Sequence, residues 1–298
     1  MSKPVIPVIS GPTASGKTAL GIALAQALDG EIVSADSMQV YDCLPVCSAQ
    51  PTKEELAEVP HHLIGFLPFT ERFTVVDWRE KAMRALEDIL SRGKRPVIVG
   101  GTSLYVHALL YEPDFGTDSD PAVREALEKA TNEELYARLT ALDPNTFVSV
   151  ADRKRLVRFL EVYTLTGRLP GADDTWKKKN ETYDFRLFCV SPPREELYAR
   201  IEKRVDEMLE NGMIPEVRAL WEQGIRETDQ CYKAIGCRQL IDVWEDRATM
   251  AEAVAKIKQE SRRYAKRQLT WMRAEDAYWV TAPDTTARVN EILPLLEN

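Results

Sequence analysis

The sequence predicts an α/β fold: a parallel sheet flanked by helices and interrupted by a helical insertion. Three observations predict it. Short apolar, β-branched runs alternate with helical patterns over the first 110 residues. A glycine-rich turn joins the first strand to the first helix. A strand-like run returns at 185–190, after a stretch dominated by helix signal. Strands that alternate with helices are joined by crossovers, which give parallel sheets covered on both faces.

In order, Val5 to Ser10 (VIPVIS) reads as a buried strand and Lys17 to Leu28 as a helix of small and apolar residues. Glu31 to Ala35 is the second strand, ending at Asp36. Val76, Met83, Leu86, Ile89 and Leu90 share a helical stripe that Gly93 terminates. Pro96 to Val99 is the third strand, ending in Gly100-Gly101, and Ser103 to Leu110 resumes a helix. At Tyr111 to Pro121 (YEPDFGTDSDP) the chemistry becomes that of a loop. Ala122 to Arg168 is mostly helical, and Leu169 to Asp184 is polar and irregular, with Lys177-Lys178-Lys179. Phe185 to Val190 is again a strand. Ser191-Pro192 offers a cap and a first-turn proline to a helix whose stripe is Leu197, Ile201, Val205, Met208 and Leu209, ended by Gly212. This divides the chain into a core of residues 1–115 and 189–298 and a helical insertion at 116–188.

The 298 residues suffice for one such core plus an insertion. A composition 44% hydrophobic and 29% charged excludes collagen-like, coiled-coil and disordered chains. The net charge of −8 argues, taken alone, against a phosphate-rich partner, but charge distribution matters more than its sum. From Lys256 to Arg273 seven basic residues stand against one acid, and from Asp152 to Arg158 four against one. Such stretches suit phosphate contacts, although a solvated helix face is the usual meaning of a charge run. Five scattered cysteines without a CxxC pair read as reduced thiols. His61-His62 reads as packing and capping, and Tyr264 and Trp271 as core. With no apolar leader and no run of 18 apolar residues, a soluble cytoplasmic protein is expected.

Gly11-Pro12-Thr13-Ala14-Ser15-Gly16-Lys17-Thr18 matches G-x-x-x-x-G-K-[ST] between a strand and a helix. Backbone N–H groups of such a loop surround phosphate oxygens, and the helix N-terminus adds partial positive charge. Lys17 is the mobile cation, and the Thr18 hydroxyl can ligate Mg²⁺. The core is therefore expected to be P-loop NTPase-like. Such a loop ordinarily binds a nucleotide, ATP foremost. The partner carboxylate of a nucleotide site would end an apolar strand, yet Pro96 to Val99 ends in Gly100-Gly101-Thr102. The only acid at a strand end is Asp36. In the strand beside the loop it would point into the ligand crevice, as a water-mediated metal holder or as a general base.

Together these segments resemble the tRNA dimethylallyltransferase family. The resemblance is carried by Gly11 to Thr18 (GPTASGKT), Ser34 to Tyr41 (SADSMQVY), Val59 to Leu63 (VPHHL) and Gly100 to Tyr105 (GGTSLY). It continues in Arg155 to Tyr163 (RLVRFLEVY), Arg200 to Met208 (RIEKRVDEM) and Arg262 to Trp271 (RRYAKRQLTW), in order along almost the whole chain. It implies transfer of a dimethylallyl group from its diphosphate to N6 of the adenosine 3′ to the anticodon of tRNA, with the loop holding a diphosphate leaving group. It implies contacts to diphosphate and Mg²⁺ at Thr13, Lys17 and Thr18, proton removal by Asp36, and Arg204 reaching the diphosphate. It implies tRNA contacts at Asp36, Ser37, Met38, Gln39, Thr102, Arg124, Lys154, Arg155, Leu156, Val157 and Arg158. The implied partners are the anticodon stem-loop of tRNA and dimethylallyl diphosphate, with no membrane, for a monomer.

The chain departs from the family where a common RGMDIGTAKPT becomes Asp42 to Thr52 (DCLPVCSAQPT), so that a lysine gives way to Gln50. Lys154 stands where Gln is common, and Cys237 where Tyr is usual. Two other functions fit parts of the sequence. The loop and Asp36 suit a P-loop small-molecule kinase, and the altered segment would suit a non-catalytic tRNA-binding homologue.

Overall fold

The computed structural model describes residues 3–170 and 175–297. The ends of the expected core, and residues 171–174 of the expected irregular stretch, lie outside them. The chain forms two compact units, Met1–Leu110 with Asn180–Asn298, and Tyr111–Lys179.

In the larger unit, β1 (Val5–Ser10), β2 (Gly30–Ser34), β3 (His61–His62), β4 (Arg95–Val99), β5 (Asp184–Cys189) and β6 (Tyr278–Trp279) form one sheet in the order β3-β2-β4-β1-β5-β6. Every pairing is parallel. The helices of this unit are α1 (Lys17–Ala27), α2 (Lys53–Glu58), α3 (Val75–Ser91) and α4 (Ser103–Leu110), then α8 (Arg194–Met208), α9 (Ile214–Glu222), α10 (Cys237–Trp244), α11 (Met250–Met272) and α12 (Thr285–Ile292). Side chains alternate across the strands. Ile6, Val8 and Ile98 join one apolar cluster with Trp78, Leu86 and Leu109, while Ile9, Val97 and Val99 join another with Leu20, Leu24 and Ile292. Both faces are therefore covered, as an all-parallel sheet requires.

β2 does not neighbour β1, contrary to the expectation that put Asp36 on the strand beside the loop: β4 lies between them. Gly100 and Gly101 make this arrangement workable. A Cβ on Gly100 would stand 2.2 Å from the Ala35 carbonyl oxygen, and one on Gly101 would stand 3.1 Å from that of Gly11. With no side chain at the end of β4, the ends of β1 and β2 close toward one cavity.

Other expectations shift for local reasons. The helix after β5 begins at Arg194 with Pro193 at its cap, not at Ser191-Pro192. Gly212 breaks the helix as expected, but no loop follows it. At φ 104° it leaves helical geometry and kinks the chain within Leu209–Met213, and α9 starts directly after, at Ile214. The two-residue edge strands β3 and β6 are too short to show any period.

The smaller unit holds α5 (Pro121–Glu128), α6 (Asn132–Leu142) and α7 (Arg153–Thr166) within the stretch expected to be mostly helical. The breaks have capping causes: Thr131 and Glu134 form a capping box at α6, and Asp152 accepts the Arg155 N–H at α7. The unit has its own core, with Leu127, Leu135, Leu139, Leu156, Val157 and Leu160. Its limits differ from 116–188. The Tyr111–Lys179 bridge closes its base, and β5 belongs to the sheet through its pairing with β1.

Candidate functional site

The loop Gly11–Thr18 leaves the carboxyl end of β1 and enters α1. Gly11 must lack a side chain, because a Cβ there would meet Ser15 Oγ at 2.4 Å and the Val190 carbonyl oxygen at 2.6 Å. Gly16, at φ 88°, takes a left-handed turn that costs glycine little. α3, α6 and α11 begin with capping boxes, but α1 begins at Gly16 with no side-chain cap. Its first-turn N–H groups and positive dipole end remain for a ligand. The Ser15 hydroxyl is buried there without a partner.

Thr13, Lys17 and Thr18 line a cavity of about 320 Å³ together with Asp36, Ser37, Met38, Gln39, Arg204, Tyr264, Arg267 and Gln268. Lys17 is half-buried. Burial, then the Arg204 guanidinium, pull its ammonium down to about 8, and Asp36 opposes them. Burial also lowers Arg204, again against Asp36. Lys17, Arg204, Lys233 and Arg267 face this cavity with one carboxylate, Asp36. Such an excess of cations, Lys17 and Arg204 among them half-buried, is a site for a multiply charged anion. Ile201, Val205, Met208, Ile235 and Ile257 give the same cavity an apolar wall. A second cavity of about 340 Å³ shares Lys17, Thr18, Ala49 and Arg204 with the first and adds Ala14, Ser15, Gly16 and Arg200. Lys17 and Arg204 therefore stand between two openings.

The Asp36 carboxylate accepts the Met38 N–H at 2.9 Å. Trp78 secures the strand before it, donating its indole N–H to the Ser34 carbonyl at 3.0 Å and stacking on Tyr105 at 4.3 Å. Thr102 stands behind this turn, accepting the Ser37 N–H. Gln50, in place of the family's lysine, donates to the carbonyls of Gln39 and Tyr41 at 3.0 and 2.7 Å, bracing the loop that carries Gln39.

Gly11 and Pro12 are buried at the base of the loop. In the smaller unit the expected tRNA-contacting residues divide. Lys154 and Arg155 are exposed. The side chains of Leu156 and Val157 are core and reach no surface. Arg124 and Arg158 turn onto the buried Glu161 carboxylate at 2.9 and 3.0 Å. They hold the fold of the unit because Glu161, fully buried, needs compensating charge.

The basic stretch of α11 is also largely compensated. Lys258 pairs with Asp206, Arg262 with Glu202, and Lys256 and Arg263 with Glu260. Tyr264, expected as core, lines the cavity under Arg267, whose guanidinium lies 5.7 Å from its ring. His62 contacts Glu31 at 2.7 Å. Gln268 was not singled out in the sequence. It accepts the Thr13 N–H at 2.9 Å and donates to the Gly101 carbonyl at 2.8 Å. Its glutamine-in-a-basic-run context carried no signal of this.

Among the described residues no helix is long and apolar enough to cross a membrane, and no group of three His, Cys, Asp or Glu could hold a metal ion. The oxygens of Thr18 and Asp36 on one cavity still fit Mg²⁺, which keeps several waters and rests on substrate phosphates.

A phosphate loop at the carboxyl end of a parallel sheet, facing clustered cations and one carboxylate, defines an anion-binding α/β protein of the P-loop type. The IPP transferase family matches residues 39–275, and the Isopentenyl transferase family matches residues 4–64. The chain belongs to the IPP transferase family. tRNA dimethylallyltransferase 1 of Citrifermentans bemidjiense is 43% identical over 286 residues, spanning 95% of this chain and 94% of its own. The tRNA dimethylallyltransferase of Anoxybacillus flavithermus is 40% identical over 297 residues, spanning 97% and 95%. The solved tRNA delta(2)-isopentenylpyrophosphate transferase of Staphylococcus epidermidis is 37% identical with a TM-score of 0.74, covering 99% of both chains. A eukaryotic dimethylallyltransferase solved acting on tRNA is 28% identical with a TM-score of 0.81, covering 95% of this chain and 75% of that one.

Proposed function

We propose that the protein is a tRNA dimethylallyltransferase that joins the dimethylallyl group of dimethylallyl diphosphate to N6 of the adenosine 3′ to the anticodon. One observation carries this most strongly: the cavity sets two half-buried cations, whose charge its surroundings disfavour, and a single carboxylate beside an apolar wall. That combination fits a diphosphate with a short hydrocarbon tail and a weakly acidic amine as acceptor.

In the reaction the bond between the allylic carbon and the diphosphate oxygen breaks, and the bond from that carbon to N6 forms. Negative charge grows on the leaving oxygen, where Lys17, Arg204, Thr13 and the free N–H groups of the loop stabilise it. Asp36 accepts the N6 proton. An adenine amine is a poor nucleophile, so this transfer contributes to the rate. Thr18 would hold Mg²⁺, which when bound would supply further positive charge to the leaving group. The two openings that meet at Lys17 and Arg204 suit separate approaches for the donor and for an extruded base. Lys154 and Arg155 are offered as phosphate contacts of the insertion. β4 ends in Gly100-Gly101 and brings no carboxylate, which disfavours a kinase.

Incubation with unmodified tRNA, Mg²⁺ and either labelled dimethylallyl diphosphate or γ-labelled ATP tests the reading. Label from the diphosphate in tRNA supports it. Phosphoryl transfer alone would make the protein a kinase, and tRNA binding without either label would make it a non-catalytic homologue.

A further inference from the structure

Gln268 is 2% exposed, and both ends of its amide are used. Its partners, the Thr13 N–H and the Gly101 carbonyl, lie on loops that leave different strands, β1 and β4. A buried amide bonded at both ends has one permitted orientation, since a flip would set donor against donor and acceptor against acceptor. The fit is close: a Cβ on Gly101 would come within 2.3 Å of Gln268 Nε2. Thr102, which follows Gly101, accepts the N–H of Ser37, next to Asp36. Gln268 thus ties the loops that carry Thr13 and Gly101 to each other, and Thr102 ties the second of them to the turn that carries Asp36.

The same contact changes what the loop offers to phosphate. Pro12 has no N–H, the Thr13 N–H is given to Gln268, and the Ser15 N–H is given to the Pro12 carbonyl. Thr13 is left to act through its hydroxyl, at the cavity wall.

We propose that Gln268 is a positioning residue for the transfer reaction: it takes the Thr13 N–H out of phosphate binding and sets the Thr13 main chain so that the hydroxyl meets the departing diphosphate. This rests on the reading of the cavity as a diphosphate site. A misdirected group costs turnover more than binding, so the effect of Gln268 runs through Thr13.

The test is a double-mutant cycle of Thr13→Val and Gln268→Met, read as kcat for transfer and as affinity for inorganic diphosphate. Gln268→Met should lower kcat by about 10- to 100-fold while diphosphate affinity stays within about threefold. The double variant should fall no more than about threefold below Thr13→Val alone, because coupled residues are non-additive. Losses that multiply, or a diphosphate affinity that falls as far as kcat, overturn the proposal. If the Met variant does not fold, Gln268→Asn, polar but one methylene short, takes its place in the cycle. Hydrogen exchange of the wild-type Thr13 amide gives an arm independent of activity. The amide should be protected in the free protein, with no gain when inorganic diphosphate binds. An amide that exchanges freely until diphosphate binds overturns the proposal. Wild-type protein that transfers no label refutes the transferase reading instead, and the exchange arm still decides Gln268.

Discussion

The Thr102 hydroxyl accepts the main-chain N–H of Ser37 at 2.9 Å. This contact ties the loop after β4 to the residue that follows Asp36, on a strand that does not touch β1. It explains how a carboxylate from β2 comes to share a cavity with Lys17. The side-chain-free end of β4 makes the space, and Thr102 fixes the far wall.

Lys17 gives a pH signature. Its ammonium is drawn down to about 8 in the free site, by burial first and by Arg204 second. A bound diphosphate favours the charged form. Affinity for dimethylallyl diphosphate, whose last ionisation lies near about 6, should be nearly level around pH 7 and about halved by pH 8. Above that it should fall, approaching a limit of about tenfold per pH unit. Titration calorimetry across pH 7 to 9.5 checks this. Lys17→Arg, charged throughout, should remove the slope, and a flat wild-type profile would contradict the cradle.

Glu161 governs the insertion. Burial opposes its ionisation, but hydrogen bonds from Ser119, Arg158 and Arg124 outweigh it and hold the carboxyl below its usual range. A lowered folded-state value stabilises above the unfolded value of about 4.3, and that stability is lost as pH falls through the folded value. Glu161→Gln should cost roughly 3 kcal/mol by stranding two arginines. Denaturant unfolding monitored within the insertion should show it, and an unchanged midpoint would refute the role.

The exposed pair behaves differently. Lys154→Ala with Arg155→Ala should leave the melting temperature within about 1 °C, since exposed ion pairs contribute little. It should also reduce the salt dependence of tRNA binding by a slope of up to about two. Arg158→Ala should lower stability as well. An unaltered salt slope in the double variant would remove these residues from the tRNA surface.

These contrasts mark where the sequence was readable. The phosphate loop and the strands around it were legible because their signals are local: eight consecutive residues, or an apolar run with a stop. Gln268 was not, because its partner Thr13 lies 255 residues away and glutamine beside arginines carries no period. Arg158 lies in a charge run and Arg124 is a tRNA contact only through the resemblance, and neither signal reveals a buried partner such as Glu161. β3 and β6, two residues each, fall below any periodicity. Asp36 was found from its strand end, but its neighbour strand was not, since sheet order depends on packing over the whole unit.

The cysteines differ in reactivity. The Cys43 thiol, half-buried, is held below its usual range by a hydrogen bond from Cys231, whose own thiol is pushed up in return. Burial raises Cys47, Cys189 and Cys237. The thiolate is the reacting form. Iodoacetamide at neutral pH should therefore alkylate Cys43 first, by more than about tenfold in rate, as read by peptide mass spectrometry. Equal labelling of Cys47 would contradict the burial assigned to it.

The central claim is that Asp36 removes the N6 proton while Lys17 and Arg204 hold the leaving diphosphate. Single-turnover transfer of labelled dimethylallyl to unmodified tRNA, by wild type and Asp36→Asn with both substrates saturating, tests it most directly. The account predicts label on adenosine with wild type. It predicts a rate at least about 100-fold lower in the variant, with the dissociation constant of the diphosphate within about threefold. A variant as fast as wild type, or one that loses diphosphate affinity as fully as rate, would contradict it.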